Sequence, residues 1–327
     1  MDKMLVVSSS PHVRASHTTH TIMRDVIIAL TPALLAGTYF YGLRALLVTL
    51  VSVVSCIGFE WIWEKIFNRP STVGDLSAVV TGLLLAFNLP ANVPFFVIIV
   101  GAFVAIILAK QVFGGIGQNF INPALAARAF LLSAYASHMR SFPVPTQGSL
   151  GLGVDVVTGA TPLELIKNGV VEGLPSFMDA LIGNIGGCIG EASALALLIG
   201  AAYLIIRKVI SWHIPACYIG TIFGLTFIFS GFSQGFSLEL LYQTFYSLFL
   251  GGIILGAFFM ATDYTTTPMT PKGQMILAIG AGIITTLIRL YGGYPEGVSY
   301  SILFMNLTVP LIDMYVRKRR FGGGVKA

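Results

Sequence analysis

The sequence predicts an all-α polytopic membrane protein, with about ten transmembrane helices forming two inverted five-helix repeats that contain broken helices. Three observations predict it. Hydrophobic residues make up 55% of the 327 positions and charged residues 10%, where a soluble domain carries roughly a quarter charged; mean hydropathy is +0.84. Apolar runs recur along the chain on both sides of one long polar connection. Runs in the two halves also end alike, in an amide or acid followed by proline.

The runs read Val26 to Tyr41, Ala45 to Trp63, Leu76 to Pro90, Val93 to Ala109, Phe120 to Ala136, Ala192 to Ile206, Ile214 to Gly231, Leu240 to Ala261, Gln274 to Tyr291 and Gly297 to Val316. Several fall short of the ~20 residues that a straight membrane helix needs, so broken, tilted or re-entrant segments are expected. In the first half Gly82 through Asn88 runs into Pro90, and Phe120-Ile121-Asn122 into Pro123. In the second, Gly256 through Asp263 runs toward Pro268, and Phe304-Met305-Asn306 toward Pro310. Discontinuous helices in inverted repeats, around a site near the midplane, give this pattern. Asn and Pro that merely end helices at the interface give it too.

Lys and Arg set the orientation, because positive charge accumulates in cytoplasmic loops. With the N-terminus inside, 14 of the 19 fall at cytoplasmic positions: Lys3, Arg14, Arg24, Lys65, Arg69, Lys110, Arg207, Lys208, Lys272, Arg317, Lys318, Arg319, Arg320 and Lys326. Arg44, Arg140 and Lys167 lie outside, and Arg128 and Arg289 within or at the edge of spans. The chain then divides into a cytoplasmic segment 1–25, a first membrane repeat 26–136, an extracytoplasmic loop 137–190, a second repeat 191–316 and a basic cytoplasmic tail 317–327. The net charge of +5 reads as membrane anchoring, not nucleic-acid binding. No cleaved signal peptide is expected, since the first residues lack a short apolar core followed by small residues. Cys56, Cys188 and Cys217 are too scattered for a zinc or iron-sulfur spacing and read as buried small residues. No metal site and no catalytic acid, base or nucleophile is expected.

Charges inside spans are expensive and usually functional. The candidates are Glu60, Arg128, Glu191, Asp263, Arg289 and Asp313. Arg289 and Asp313 are close enough to span ends to reach water. Glu60 and Arg128 lie deeper and are the better prospects for a functional pair or ligand contact, and Glu60 and Asp263 for ion coupling.

Gly114-Gly115-Ile116-Gly117-Gln118-Asn119 leads into Asn122-Pro123. It lacks the Gly-Lys-Ser/Thr ending of a phosphate loop and the preceding strand of a dinucleotide fingerprint. It reads either as a tight turn between spans or as a ligand site, with Asn119 and Asn122 on one helix face, donating and accepting toward an isoalloxazine edge.

Within the polar connection, Asp155 precedes Thr158-Gly159-Ala160-Thr161, and Pro162 follows at once. One reading is a helix start, with Thr161 as N-cap, Pro162 in the first position and Glu164 completing a capping box. The other is that this acid, small-residue turn and terminal Thr resemble the site at which FMN is esterified through its phosphate to a threonine.

Further motifs carry the resemblance: Ser10-Pro11-His12, Thr18-Thr19, Ile22-Met23 and Asp25 to Leu30, then Gly114 to Pro123, Asp155 to Pro162 and Thr262 to Pro268. In this order, over essentially the whole chain, they resemble the RnfD family, the D subunits of Rnf electron-transport complexes, which is related to the B subunit of the sodium-translocating NADH:quinone reductase. The resemblance implies a bacterial or archaeal cytoplasmic-membrane component of a complex that passes electrons between reduced ferredoxin and NAD and couples them to Na+ or H+ movement. It implies FMN on Thr161, attached by a flavin transferase that reads the site around Asp155, Thr158, Gly159 and Ala160. It further implies a second, noncovalent flavin, riboflavin, at the motif matching Asn119 and Asn122; Arg128 is the candidate, on charge alone, for stabilising a reduced anionic flavin. Ferredoxin and NAD would fall to partner subunits, among them iron-sulfur subunits and an extracytoplasmic flavoprotein. A channel or transporter for a small neutral solute fits the broken spans equally well but leaves the Thr-Gly-Ala-Thr loop unexplained. A passive membrane scaffold fits the topology.

Overall fold

The computed structural model describes residues 18–143, 145, 158–159, 161–167, 174–293 and 296–316, and in it the apolar runs are helical. Thr18 opens α1 (Thr19–Tyr41) with a capping box to Thr21, and Gly42, at φ 74°, separates it from the antiparallel α2 (Leu43–Ile66). A 3-10 turn at Val73–Asp75 leads to α3 (Ser77–Phe87), which stops at Asn88, two residues before Pro90. Next come α4 (Phe95–Phe103), continued by a π-helical stretch Val104–Gln111, and α5 (Pro123–Ala134). The polar connection holds α6 (Ala136–Met139), β1 (Phe142–Pro143), β2 (Thr158–Gly159), α7 (Pro162–Lys167) and α8 (Phe177–Ile182). The second half comprises α9 (Ala194–Ile206), α10 (His213–Gln234), α11 (Leu238–Leu248), α12 (Ile253–Leu255) with a π turn Gly256–Met260, α13 (Pro271–Tyr291) and α14 (Val298–Tyr315).

The expectation of an all-helical chain needs one correction. β1 and β2 pair antiparallel, with Phe142 opposite Gly159 and Pro143 opposite Thr158. Among the described residues, five helices are long and apolar enough to cross a membrane: α1, α2, α10, α13 and α14. A sixth candidate is α11 with α12, bent by 61° between them. The runs assigned to α3, α4, α5 and α9 form shorter apolar helices. Large apolar side chains such as Leu50, Ile199 and Leu307 are exposed around the bundle, as a lipid-facing surface requires. The chain is a multi-pass membrane protein.

Its two ends differ. One, where α1 starts and α2 stops, carries Arg24, Lys65, Arg69, Arg207, Lys208 and Lys272; we call it the basic end. The opposite, loop end carries β1, β2, α7 and α8, and is tied to α1 by the Tyr41 hydroxyl, which donates to the Ile185 carbonyl at 2.9 Å.

The two halves meet where α1 packs on α9. Small residues allow backbones to approach in such contacts, as membrane helices require without a hydrophobic drive between them. A Cβ on Gly200 would stand 2.0 Å from the Ala29 carbonyl oxygen. Asp25, buried on α1, fixes the register by accepting from Tyr203 and from Arg207 at 3.2 Å each. Gly200→Ala is therefore expected to push α9 off α1 and cost about 1–3 kcal/mol or more. Thermal unfolding in detergent tests this, with Gly58→Ala, where a Cβ meets nothing within 4 Å, as the silent control.

Candidate functional site

At the loop end, Thr161 behaves as the helix start read from the sequence. Glu164 N–H donates to Thr161 Oγ1 at 3.3 Å and to its carbonyl at 2.9 Å, and Pro162 takes the first helical position of α7. Thr161 is 5% exposed. Leu163 docks α7 onto an apolar cluster with Ala180, Ile185, Tyr246 and Leu250. Thr158 and Gly159 form β2, while Asp155 and Ala160 lie outside the described residues.

Beside α7 opens a cleft of about 920 Å3, open mouth included, lined by Leu163, Ile166, Lys167, Gln243, Thr244, Ser247 and Arg289 among others. Arg289, near a span end, is half-buried, and its head turns back onto the end of α11. Its guanidinium donates to the carbonyls of Ser247 and Leu250 at 3.1 and 3.0 Å, and its Nε is buried without a partner among the described residues. The end of α11 leaves those carbonyls open, and the cation supplies what the broken helix lacks. Outside the spans, Ser176 caps α8, and its hydroxyl, with its backbone N–H, holds the Asp179 carboxyl below the usual carboxylate range.

Midway through the bundle the broken ends converge. Asn88, which closes α3, accepts from Arg128 at 2.6 Å, donates to the Leu84 carbonyl at 2.6 Å and lies 3.6 Å from Met260 Sδ. Asn122 donates to the Met260 carbonyl at 3.3 Å, and Asn306 accepts from the Asn122 N–H at 3.1 Å while donating to the Thr266 carbonyl at 3.2 Å. Asn88 and Asn122, which end runs of the first half, thus meet at Met260, and Asn306 joins them through Asn122.

Arg128 is 4% exposed and forms an ion pair with Glu296, a residue that sequence reasoning passed over. The anticipated partnership of Glu60 with Arg128 is not made, because Glu60 lies at the basic end. Cys188, read as a small apolar residue, belongs instead to a polar cluster: its thiol lies 3.9 Å from Arg128 and donates to the Asn88 carbonyl at 3.5 Å. The Cys188 thiol and the carboxylates of Glu191 and Glu296 come within 4.8 Å of one another.

At the basic end Glu60 is fully buried and bound by Lys110, whose Nζ donates to both carboxylate oxygens at 3.0 and 2.9 Å and to Ser77 Oγ at 2.6 Å. Lys110, expected in a cytoplasmic loop, is 2% exposed, because the π-helical end of α4 rotates it inward. Lys110 and Ser77 also line a cleft of about 790 Å3, open mouth included, together with Asn119, Asn122, Asp263, Thr265, Leu84 and Phe258 among others. Asp263 accepts from the hydroxyls of Thr265 and Thr266 at 2.9 and 3.3 Å, and Asn119 donates to Thr265 Oγ1 at 2.9 Å. Asn119 and Asn122 share this cleft but not a helix face. Pro123 keeps the preceding residue out of the helical region, so Asn122 becomes the N-cap, accepting from Ala124 and Leu125 N–H, and Asn119 sits in the turn before it. That turn needs its glycines: Gly114, Gly115 and Gly117 have φ of 121°, 95° and 86°, which other residues rarely adopt.

Residues 6–322 match the model of the NQR2, RnfD, RnfE family. The chain belongs to this family. It is 51% identical to the D subunit of the Na(+)-translocating ferredoxin:NAD(+) oxidoreductase complex of Acetobacterium woodii, over 97% of this chain and 95% of that protein. It is 43% identical to the D subunit of the proton-translocating ferredoxin:NAD(+) oxidoreductase complex of Clostridium ljungdahlii, over 98% and 96%. With the D subunit of the ion-translocating oxidoreductase complex of Halorhodospira halophila it shares 37%, over 96% and 94%. The family match takes in all three polar regions, the α7 site, the Met260 centre and the basic-end cleft.

Proposed function

We propose that this chain is the flavin-bearing membrane subunit of an ion-translocating ferredoxin:NAD oxidoreductase complex of the Rnf type, coupling redox flow to Na+ or H+ transport. The observation that carries the reading is the sequence order Asp155, Thr158-Gly159-Ala160-Thr161 in a chain 51% identical to one component of such a complex. Thr161 is the residue that takes FMN by phosphoester linkage, with Asp155, Thr158, Gly159 and Ala160 forming the sequence that a flavin transferase reads.

The α7 cleft fits such a group. It has apolar walls at Leu163, Ile166 and Leu240, hydroxyl and amide side chains at Thr244, Ser247 and Gln243 that could bond a phosphate or a ring edge, and in Arg289 a cation whose Nε lacks a partner among the described residues. FMN supplies the one-electron chemistry when bound. The chain's own residues would orient it: α7 fixes the attachment point, and Arg289 sets a positive potential beside the ring. The basic-end cleft fits a second, noncovalent flavin such as riboflavin, held by Asn119 and Asn122. Arg128 would stabilise a reduced, anionic flavin, and Glu60 and Asp263 would take part in ion coupling.

The topology proposed is ten membrane crossings in two inverted five-span repeats, 26–136 and 191–316. The segment 1–25 and the tail 317–327 are then cytoplasmic and the loop 137–190 extracytoplasmic, in a bacterial or archaeal cytoplasmic membrane. The concentration of Lys and Arg at the basic end supports this orientation. An extracytoplasmic flavoprotein and iron-sulfur subunits would be partners.

In protein co-expressed with a flavin transferase and run on a denaturing gel, flavin fluorescence is expected in the wild type and absent in Thr161→Ala. A dark wild-type band, with the transferase active on a control substrate, would favour the solute channel instead. Loss of the N-cap alone costs about 0.5–2 kcal/mol, so both proteins should assemble.

A further inference from the structure

Beyond α2 the chain turns back at the basic end, and Thr72 comes to rest between two carboxyl groups of α2 that are one helical turn apart. Thr72 Oγ1 stands 2.8 Å from Glu60 Oε1 and 2.5 Å from Glu64 Oε1. A hydroxyl owns one proton and can donate to one of these oxygens only. The other contact brings two oxygens to hydrogen-bond distance and needs a second proton between them.

Among the described residues, no neighbouring N–H supplies it. Lys110 spends its three on Glu60 Oε1, Glu60 Oε2 and Ser77 Oγ, Gln111 donates to Glu60 Oε1 at 3.0 Å, and the Thr72 N–H to Glu64 Oε1 at 2.8 Å. Glu60 accepts three N–H bonds, two of them from the Lys110 ammonium. Glu64 is 4% exposed, and its Oε2 is buried with no partner among the described residues. A carboxylate in that position would carry an uncompensated buried charge on an unsatisfied oxygen, whereas a neutral carboxyl would not.

We propose that Glu64 holds an exchangeable proton, shared through Thr72 with Glu60, so that Glu64, Thr72, Glu60 and Lys110 form a proton-binding site at the basic end. A metal cation fits less well, because the N–H donors and the Thr72 hydroxyl already engage both oxygens of Glu60 and Oε1 of Glu64, leaving Glu64 Oε2 as the one open ligand. Other titratable groups nearby are Cys56, buried on α2, and Asp75, engaged with the Ser77 N–H at 2.7 Å. Thr72 is half-buried beside the exposed Ser71, which gives the proton a route to water. Lys110 also lines the basic-end cleft, so charge entering the cleft and occupancy of the proton site act on each other through one ammonium group. The site stands on geometry and does not depend on the flavin reading.

Infrared spectra of the purified protein at neutral pH test it. The expected result is a protonated-carboxyl C=O band that moves on deuteration and is missing from Glu64→Gln, whose amide keeps a donor toward Thr72. Thr72→Val should keep the band but raise its frequency, since the carboxyl loses its acceptor. A Glu64→Gln spectrum identical to the wild type overturns the proposal, as does a band that does not move on deuteration, which would leave no exchangeable proton on Glu64. Should Glu64→Gln fail to fold, an unchanged band in Thr72→Val overturns it equally.

Discussion

Lys110→Met is expected to destabilise the protein by about 3–5 kcal/mol, the range found when one member of a buried ion pair is removed and the other stays behind. The side chains of Lys110 and Glu60 are 3% and 0% exposed, so solvent does not screen the loss. Methionine keeps most of the apolar stem and removes three donors from Glu60 and Ser77, so the effect reports the charge and its bonds and not a cavity. The pair joins α2 to the π-helical end of α4, and Ser77 brings in α3. Unfolding should therefore begin among these three helices, with α10 to α14 holding longer. Fluorescence-detected melting in detergent measures the loss, and Lys110→Met with Glu60→Gln should recover most of it, because removing both charges deletes the penalty as well as the attraction. A double variant no more stable than the single one would show that the ion pair is not what holds these helices together.

The same residue shows how far the sequence could be read. Hydropathy located the ten apolar runs, because burial in lipid demands continuous apolar stretches and leaves little room for exceptions. It also flagged the short ones, and Asn88, Asn122 and Asn306 stood out because an amide and a proline are conspicuous at the end of an apolar run. Their convergence on Met260 and Asn122 was not legible, since contacts between residues 138 or more positions apart leave no local pattern. The burial of Lys110 was not legible, for a physical reason. A lysine near the end of a span is ordinarily in the headgroup region, and its inward turn comes from a π-helical stretch whose sequence, Val104 to Gln111, carries no proline or glycine to announce it. Glu64 and Thr72 escaped notice because a Glu near a helix end and a Thr in a loop are ordinary surface residues until the loop folds back over the helix. Thr161 was legible as a helix start because the cap, the proline and the acid are neighbours in sequence.

Arg128→Gln should be the most damaging single change in the middle of the bundle, costing about 3 kcal/mol or more by the same logic of an orphaned buried charge. Arg128 is the group on which α3, α5 and the start of α14 converge: it donates to Asn88 at 2.6 Å, pairs with Glu296, and lies 3.9 Å from Cys188. Without the guanidinium, Glu296 and the nearby Glu191 face each other with no cation between them, and Asn88 Oδ1 loses its donor. Arg128→Lys should fall between the wild type and Arg128→Gln, because a point charge on a flexible stem cannot serve Asn88 and Glu296 with the two arms of a planar fork. The thiol offers a local readout. Cys188 is 1% exposed, enclosed by these contacts, and should resist a membrane-permeant maleimide in the wild type. In a background with Cys56 and Cys217 replaced by Ser, Arg128→Gln should raise its labelling rate at least tenfold, as the opening free energy of the centre falls by more than about 1.4 kcal/mol. Glu296→Gln added to Arg128→Gln should lower that rate again. Equal labelling of Cys188 in the wild type and in Arg128→Gln would mean that packing of α3 against α5, and not the arginine, closes the centre.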